Sequence, residues 1–184
     1  MTGGARELAL AELEAGLDHI RASPREVGVL EMIVSRPRSE EREVLEVARL
    51  DADEGLVGDR WAAKLPRRME QQITLMSSRV IALVAQDRAR WPLAGDQLYV
   101  DLDLSTDNLP AGTRLAVGSA VVEVSAKPHL GCGKFRARYG FDAVRFVNSP
   151  HAGLGLRLRG INARILSGGD VRVGDTIRKL AALG

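Results

Sequence analysis

From Pro24 onward the chain never holds one hydrophobic period for long. Short apolar or alternating runs follow one another, and 19 glycines spread through the 184 residues punctuate them. A chain built this way has many short strands and tight turns, the pattern of a closed or nearly closed β-barrel. The runs 26–35, 43–50, 73–76 and 98–104 read as strands, with Pro37 in a connection where a missing N–H does least harm. Arg114 to Val117 and Ala120 to Val124 flank Gly118-Ser119, and glycine first in a two-residue loop suits a type II′ hairpin. Leu154, Leu156 and Leu158 alternate in β fashion, as do Ile161, Ala163 and Ile165. The phase flips across Gly160, which predicts a bulge or bend there. Gly168 to Asp170 and Gly174-Asp175 predict turns around a short strand, 171–173.

Two segments carry helical spacing instead. Arg6 to Arg21 places Leu10, Leu13, Leu17 and Ile20 on one face with the acids opposite, and Ser23-Pro24 stops it. Residues 1–24 are therefore expected to be an amphipathic helix packed on a barrel formed by 25–184. Ser77 or Ser78 caps a second predicted helix that runs to Trp91 and ends at Pro92. The expected fold class is mainly β, a barrel with a few peripheral helices.

Charge and cysteine content narrow the function. A net charge of +2 is too small to argue for a nucleic acid or membrane partner, and only 4% of residues are aromatic, which speaks against base-stacking platforms. The apolar runs all fall short of a membrane span. Acids at Glu7, Glu12, Glu14 and Asp18 stand where a signal peptide needs an uncharged apolar stretch. A single cysteine rules out an internal disulfide, a Cys-rich zinc site and an iron–sulfur cluster. A reducing, cytoplasmic setting is the expectation.

That one cysteine, Cys132, lies in Lys127-Pro128-His129-Leu130-Gly131-Cys132-Gly133-Lys134-Phe135-Arg136. From Lys127 to Arg145 the chain holds Lys127, Lys134, Arg136, Arg138 and Arg145 against Asp142 alone, a local basic site suited to a small anion. Phe135, Tyr139, Ala143 and Phe146 share a helical face, with a break expected at Tyr139-Gly140. If that helix starts near Gly133, its dipole favours a thiolate on Cys132. His129 stands three residues before the thiol, where it could move a proton or hold the thiolate. A lone cysteine is equally the mark of a small inert hydrophobe, and local sequence leaves both readings open. Glu54 to Trp61 contains Gly55, Gly58, Asp59 and Arg60, a carboxylate and a planar cation within a tight loop. Read alone, it is more simply a turn in which Asp59 caps its own backbone. His19 and His151 are poor site candidates, and phosphate-loop and GxSxG motifs are absent.

Taken in order, six segments resemble the stand-alone MOSC domain, the module also found at the C-terminus of molybdenum-cofactor sulfurases. They are Gly55 to Arg60, Gln72 to Leu75, Leu93 to Leu98, Leu109 to Ala120, Gly131 to Phe135, and Gly160 to Leu166 continuing through Gly174 to Ile177. The resemblance covers about Arg25 to Lys179 and puts Cys132 at the family's characteristic cysteine. It implies a MOSC-type β-barrel and work around sulfur and molybdenum. Cys132 would accept a persulfide or ligate molybdenum, with His129 assisting. Lys127, Lys134, Arg136 and Arg138, and more weakly Arg60 and Arg159, would bind the phosphate of a molybdenum cofactor (molybdopterin) or stabilise the thiolate, with Asp59 a further cofactor-binding candidate. A cysteine desulfurase or an electron-transfer protein is the implied partner, with pyridoxal phosphate belonging to the desulfurase. Reduction of N-hydroxylated compounds is a further implied activity, and a non-catalytic anion-binding module is the alternative. Two positions depart from the common pattern: Trp61 stands where many members have His, and Asp96-Gln97 where many have Glu-Asn.

Overall fold

The computed structural model describes residues 6–181. Eleven strands occur among them: β1 Val27–Ser35, β2 Glu43–Leu45, β3 Val47–Asp51, β4 Gly55–Leu56, β5 Ile73–Ser77, β6 Leu98–Asp101, β7 Arg114–Val117, β8 Ala120–Pro128, β9 Ile161–Ser167, β10 Gly169–Arg172 and β11 Thr176–Lys179. The order β11-β7-β8-β9-β5-β6-β1 closes on itself through β1 and β11, so seven strands form a barrel and β2 pairs on the far half of β1. Closure removes the exposed edges that an open sheet of this size would carry. Strands β3, β4 and β10 form a separate small sheet.

Side-chain alternation assigns residues to two apolar layers. Leu75, Leu98, Val100, Leu115, Val122, Ile165 and Ile177 point into the barrel. Their neighbours Met76 and Tyr99 point outward against the helices, in a second cluster with Leu13, Val84, Phe135, Tyr139 and Phe146. A register shift between Leu30 and Met32 lets β1 serve both layers, with Leu30 and Ile33 inside and Met32 and Val34 outside. Strands covered on both faces read as near-continuous apolar runs, which is what Ile73 to Met76 is.

The hairpin at Gly118 forms as expected, with φ 53° at that glycine. Other expectations need correction. The N-terminal helix is two short ones, α1 Leu10–Ala15 and α2 Leu17–Arg21, meeting at Gly16, where a Cβ would lie 2.5 Å from Leu83. The run 43–50 splits at Glu46, because β2 follows the barrel and β3 leaves it for the small sheet. The predicted helix to Trp91 stops early: α3 Ser78–Ala85 ends at Gln86, φ 60°, and Pro92 lies within a following 3-10 stretch, Arg88–Ala94. The α3 and 3-10 crossover is what allows β5 and β6 to run parallel. The alternation Leu154, Leu156, Leu158 belongs to no strand. Residues 150–159 form successive turns, closed by bonds such as Leu156 N–H to Ala152 O and Leu158 N–H to Gly153 O at 2.9 Å. The bend at Gly160 is real, with φ 105°, and a Cβ there would lie 2.3 Å from Leu75 O. No helix among the described residues is long and apolar enough to cross a membrane.

Candidate functional site

The last strand residue of β8 is Pro128, after which the backbone leaves the barrel wall. Asn148 clamps this exit from both sides: its Oδ1 accepts from Gly131 N–H at 2.8 Å and its Nδ2 donates to Gly131 O at 3.0 Å. Helix α4, Gly133–Tyr139, then starts with Cys132 as its N-cap residue. Gly140, at φ 93°, turns the chain into α5, Phe141–Val147. Phe135, Tyr139, Ala143 and Phe146 are buried, as their spacing predicts, and they fasten the helix pair to the barrel. Cys132 is left exposed at the head of α4.

The thiol is tuned by its surroundings. Burial is the largest influence and opposes ionisation. It is outweighed by the N–H groups of Phe135 and Lys134, which face the sulfur without closing bonds of full geometry, and by the charges on Arg159 and Arg138. The net effect holds Cys132 below the ordinary thiol pKa, so more thiolate is present at neutral pH.

Beneath the thiol runs a buried polar row. Arg159, 5% exposed, donates to Asp96 Oδ2 at 2.6 Å and to Ala94 O at 2.9 Å, and its guanidinium lies 5.0 Å from the centre of the Phe135 ring. Asp96, fully buried, places Oδ1 3.5 Å from His129 Nδ1. Both of those atoms lack a hydrogen-bond partner among the described residues. Burial first, and then the Arg159 charge, push His129 down to about 4, so it is neutral at pH 7.

The sequence candidates separate into three groups. Cys132, His129, Arg159, Lys134 and Arg138 share one neighbourhood. Lys134 and Arg138 both pair with Glu40, in the β1–β2 connection. Asp59 is a buried structural carboxylate: it accepts from Arg36 Nε at 2.8 Å, Nη2 at 3.0 Å and backbone N–H at 3.0 Å, and from Trp61 N–H at 2.9 Å. That is the capping role its turn suggested. Arg136 faces elsewhere, 5.0 Å above the Phe141 ring, and Lys127 lines a cavity that His129 also borders. Trp61 is buried against Gly55, and Gln97 is buried with its Oε1 accepting from Thr74 N–H and Oγ1, each at 2.8 Å.

Sequence reasoning missed several members. Arg36, Arg42 and Glu40 lie in a connection marked only by Pro37, and Lys64 follows the Asp59-Arg60 turn. Asp96 carried one signal, its departure from the family pattern. Together Arg36, Arg42, Arg60, Lys64, Lys134 and Arg138 form a cationic basin. Burial depresses Lys64, and Arg60, Arg36 and Lys134 repel it further; Arg42 is depressed by burial and then by Arg138, Arg36 and Arg60. Arg42, Arg60 and Lys64 have no ion-pair partner among the described residues, and Arg60 Nε is buried without a hydrogen bond.

A helix-flanked barrel with a thiol at a helix head is thus the class of molecule defined. Its fold is shared with solved structures. One is the YuaD protein from Bacillus subtilis, at TM-score 0.62 and 17% identity, covering 88% of this chain and 100% of that one. YiiM from Escherichia coli matches at TM-score 0.54 and 15% identity, covering 85% of this chain and 71% of its own. YiiM from Geobacillus stearothermophilus matches at 0.50 and 14%, with coverages of 86% and 75%. At these identities the likeness is one of fold. No family model matches the chain, and no curated protein sequence does.

Proposed function

We propose that this chain is a MOSC-type domain that holds a molybdopterin cofactor beside Cys132, with the thiolate as the working group. One observation carries the reading: an exposed thiol with a lowered pKa adjoins a basin whose cations exceed their counter-charges. The residues fit an anionic group. The repulsion among Arg42, Arg60, Lys64 and Arg36, and the orphaned Arg60 Nε, would be relieved by an oxyanion such as the phosphate of the cofactor. Arg42, Arg60 and Lys64 would hold it, joined by Lys134 and Arg138 once these release Glu40. When bound, the cofactor supplies a soft metal–sulfur centre, to which a thiolate is a well-matched ligand. Arg159, fixed by Asp96 and stacked on Phe135, keeps positive charge under the thiolate whatever its ligand state.

A second reading has its own support. Cys132 is exposed, and the position of a Cβ on Gly133 has no heavy atom within 4 Å, so a partner protein can approach the sulfur. In sulfur carriage the Cys132 thiolate attacks the outer sulfur of a desulfurase persulfide. That S–S bond breaks, the partner leaves as a thiolate, and Cys132 becomes the persulfide, with its proton carried over on the transferred sulfur. An electron-donating partner and an N-hydroxylated substrate belong to the first reading.

The test is metal and pterin analysis of protein made in molybdenum-replete cells, beside Cys132→Ala. Mass spectrometry of Cys132 after exposure to a cysteine desulfurase and free cysteine completes it. Pterin and molybdenum lost on Lys64→Ala with Arg60→Ala support cofactor holding, and a 32 Da gain on Cys132 (about one sulfur atom) supports carriage. Neither pterin nor persulfide on the wild-type protein rejects both.

A further inference from the structure

A cavity of about 240 Å³ lies between the end of β8, the start of β9 and the 150–159 turns, with His129 in its wall and Cys132 outside its lining. Its walls are mostly apolar, with Ala126, Leu130, Leu154 and Ile161, and two cations, Lys127 and Arg157, border it. No Asp or Glu lines it.

Arg157 is the informative residue. It is half-buried and stands at φ 47°, a left-handed conformation that a long side chain adopts only under constraint from its surroundings. Its guanidinium donates to Leu109 O at 2.6 Å and to Leu104 O at 3.5 Å, and it has no carboxylate partner among the described residues. Burial alone depresses it, with no acid offsetting the loss of water. Buried charge is ordinarily paired, so this one lacks a counter-ion that the fold does not supply. Lys127 also makes no ion pair among the described residues, although it borders an open groove containing Glu123, which pairs with Arg164 and Arg114. Leu130 and Leu154, both in the lining, are about half exposed, so apolar surface is open to solvent there.

We infer that this cavity is a binding site for a small organic carboxylate with an apolar body, its charge held by Arg157 and Lys127 and its body by Leu130, Leu154 and Ile161. The volume equals roughly eight waters of bulk liquid, enough for a single ring and one charged group. Asn162 and Thr106 offer polar contacts at the rim. The proposal does not rest on the reading of Cys132, because neither a metal nor the thiol takes part, although His129 borders the cavity as well as the thiol's neighbourhood.

Benzoate is the probe, with benzyl alcohol as its neutral match, titrated into the full chain and followed by amide chemical shifts. Saturable benzoate shifts are expected at Thr106, Ala126, Gly153 and Asn162, with benzyl alcohol weaker by about tenfold, the size of one charge-assisted contact. Arg157→Gln lowers benzoate affinity by about tenfold and Lys127→Met by about threefold, while neither alters benzyl alcohol binding. Should Arg157→Gln fail to fold, the exposed Lys127→Met and the two-ligand comparison decide the matter. Equal affinities for the two probes, no saturable shift at those amides, or unchanged benzoate affinity in the folded variants overturns the inference.

Discussion

Replacing Asp96 with Asn tests the buried row under the thiol. The side chain keeps its shape and one acceptor, so Arg159 retains a hydrogen bond at that position, Ala94 O and the face of Phe135. What it loses is its only ion-pair counter-charge among the described residues, at a site where the arginine is 5% exposed and the aspartate fully buried. Breaking a buried pair from one side costs about 3–5 kcal/mol, because the remaining charge is left uncompensated. The surviving contacts put the expected loss near the lower end, about 3 kcal/mol. For a chain of this length that lowers Tm by roughly 6–12 °C. Urea and thermal unfolding at pH 7 measure it. Asp96 also pulls the His129 pKa upward, so the same variant drives that imidazole still lower, which NMR titration follows. The double variant Asp96→Leu with Arg159→Met should recover much of the loss, since an apolar pair needs no counter-charge. A loss below about 1 kcal/mol for Asp96→Asn would mean that water already screens the pair, and the argument for a dry row would be wrong.

Three further outcomes follow from the geometry. The pH profile of Cys132 alkylation by iodoacetamide should have its midpoint below that of free cysteine, and Arg138→Gln should move it slightly upward, since the helix N–H groups and Arg159 act more strongly; a wild-type midpoint at or above that of free cysteine rejects the electrostatic account. His129 has a folded pKa of about 4 against 6.5 ordinarily, so the folded state binds fewer protons and stability rises with pH between those values. That contribution, about 3 kcal/mol at 1.36 kcal/mol per unit, is complete above 6.5 and lost as pH falls through 4. Urea midpoints above about pH 5 should slope in the wild type and flatten in His129→Gln; the exposed Glu12 and Glu40, shifted down from 4.5 to about 2, act from about pH 5 downward and overlap only the lower end of this window. Gly160→Ala should cost about 2–4 kcal/mol by denaturant unfolding, since its Cβ meets Leu75 O at 2.3 Å and its φ of 105° suits glycine; a neutral effect would show that β9 can shift.

Much of the barrel was legible because strand alternation is a local property. Val27 to Ser35, Ile73 to Ser77 and the Gly118 hairpin declare themselves through neighbours in sequence. So does the face shared by Phe135, Tyr139, Ala143 and Phe146, which places Cys132 at a helix head. The misread segments fail for identifiable reasons. Leu154, Leu156 and Leu158 alternate in sequence, but burial over 154–159 rises steadily from exposed to buried with no period of two, so the pattern does not report a strand face. Pro92 looked like a helix stop, but Gln86 had already ended α3 in a left-handed conformation.

The sequence by itself determined most of the barrel strands, the hairpin, the helix that presents Cys132 and the local excess of positive charge, since each depends on residues close together in the chain. Only the tertiary structure decided which charges meet. It brought Asp96 and Arg159 together from 63 positions apart, set Glu40 between Lys134 and Arg138 from 94 and 98 positions away, paired Asp59 with Arg36, and put Lys127 on a cavity beside His129 rather than beside Cys132. The physical reason is that burial and distance fix the worth of a charge, and both are set by closure of the barrel.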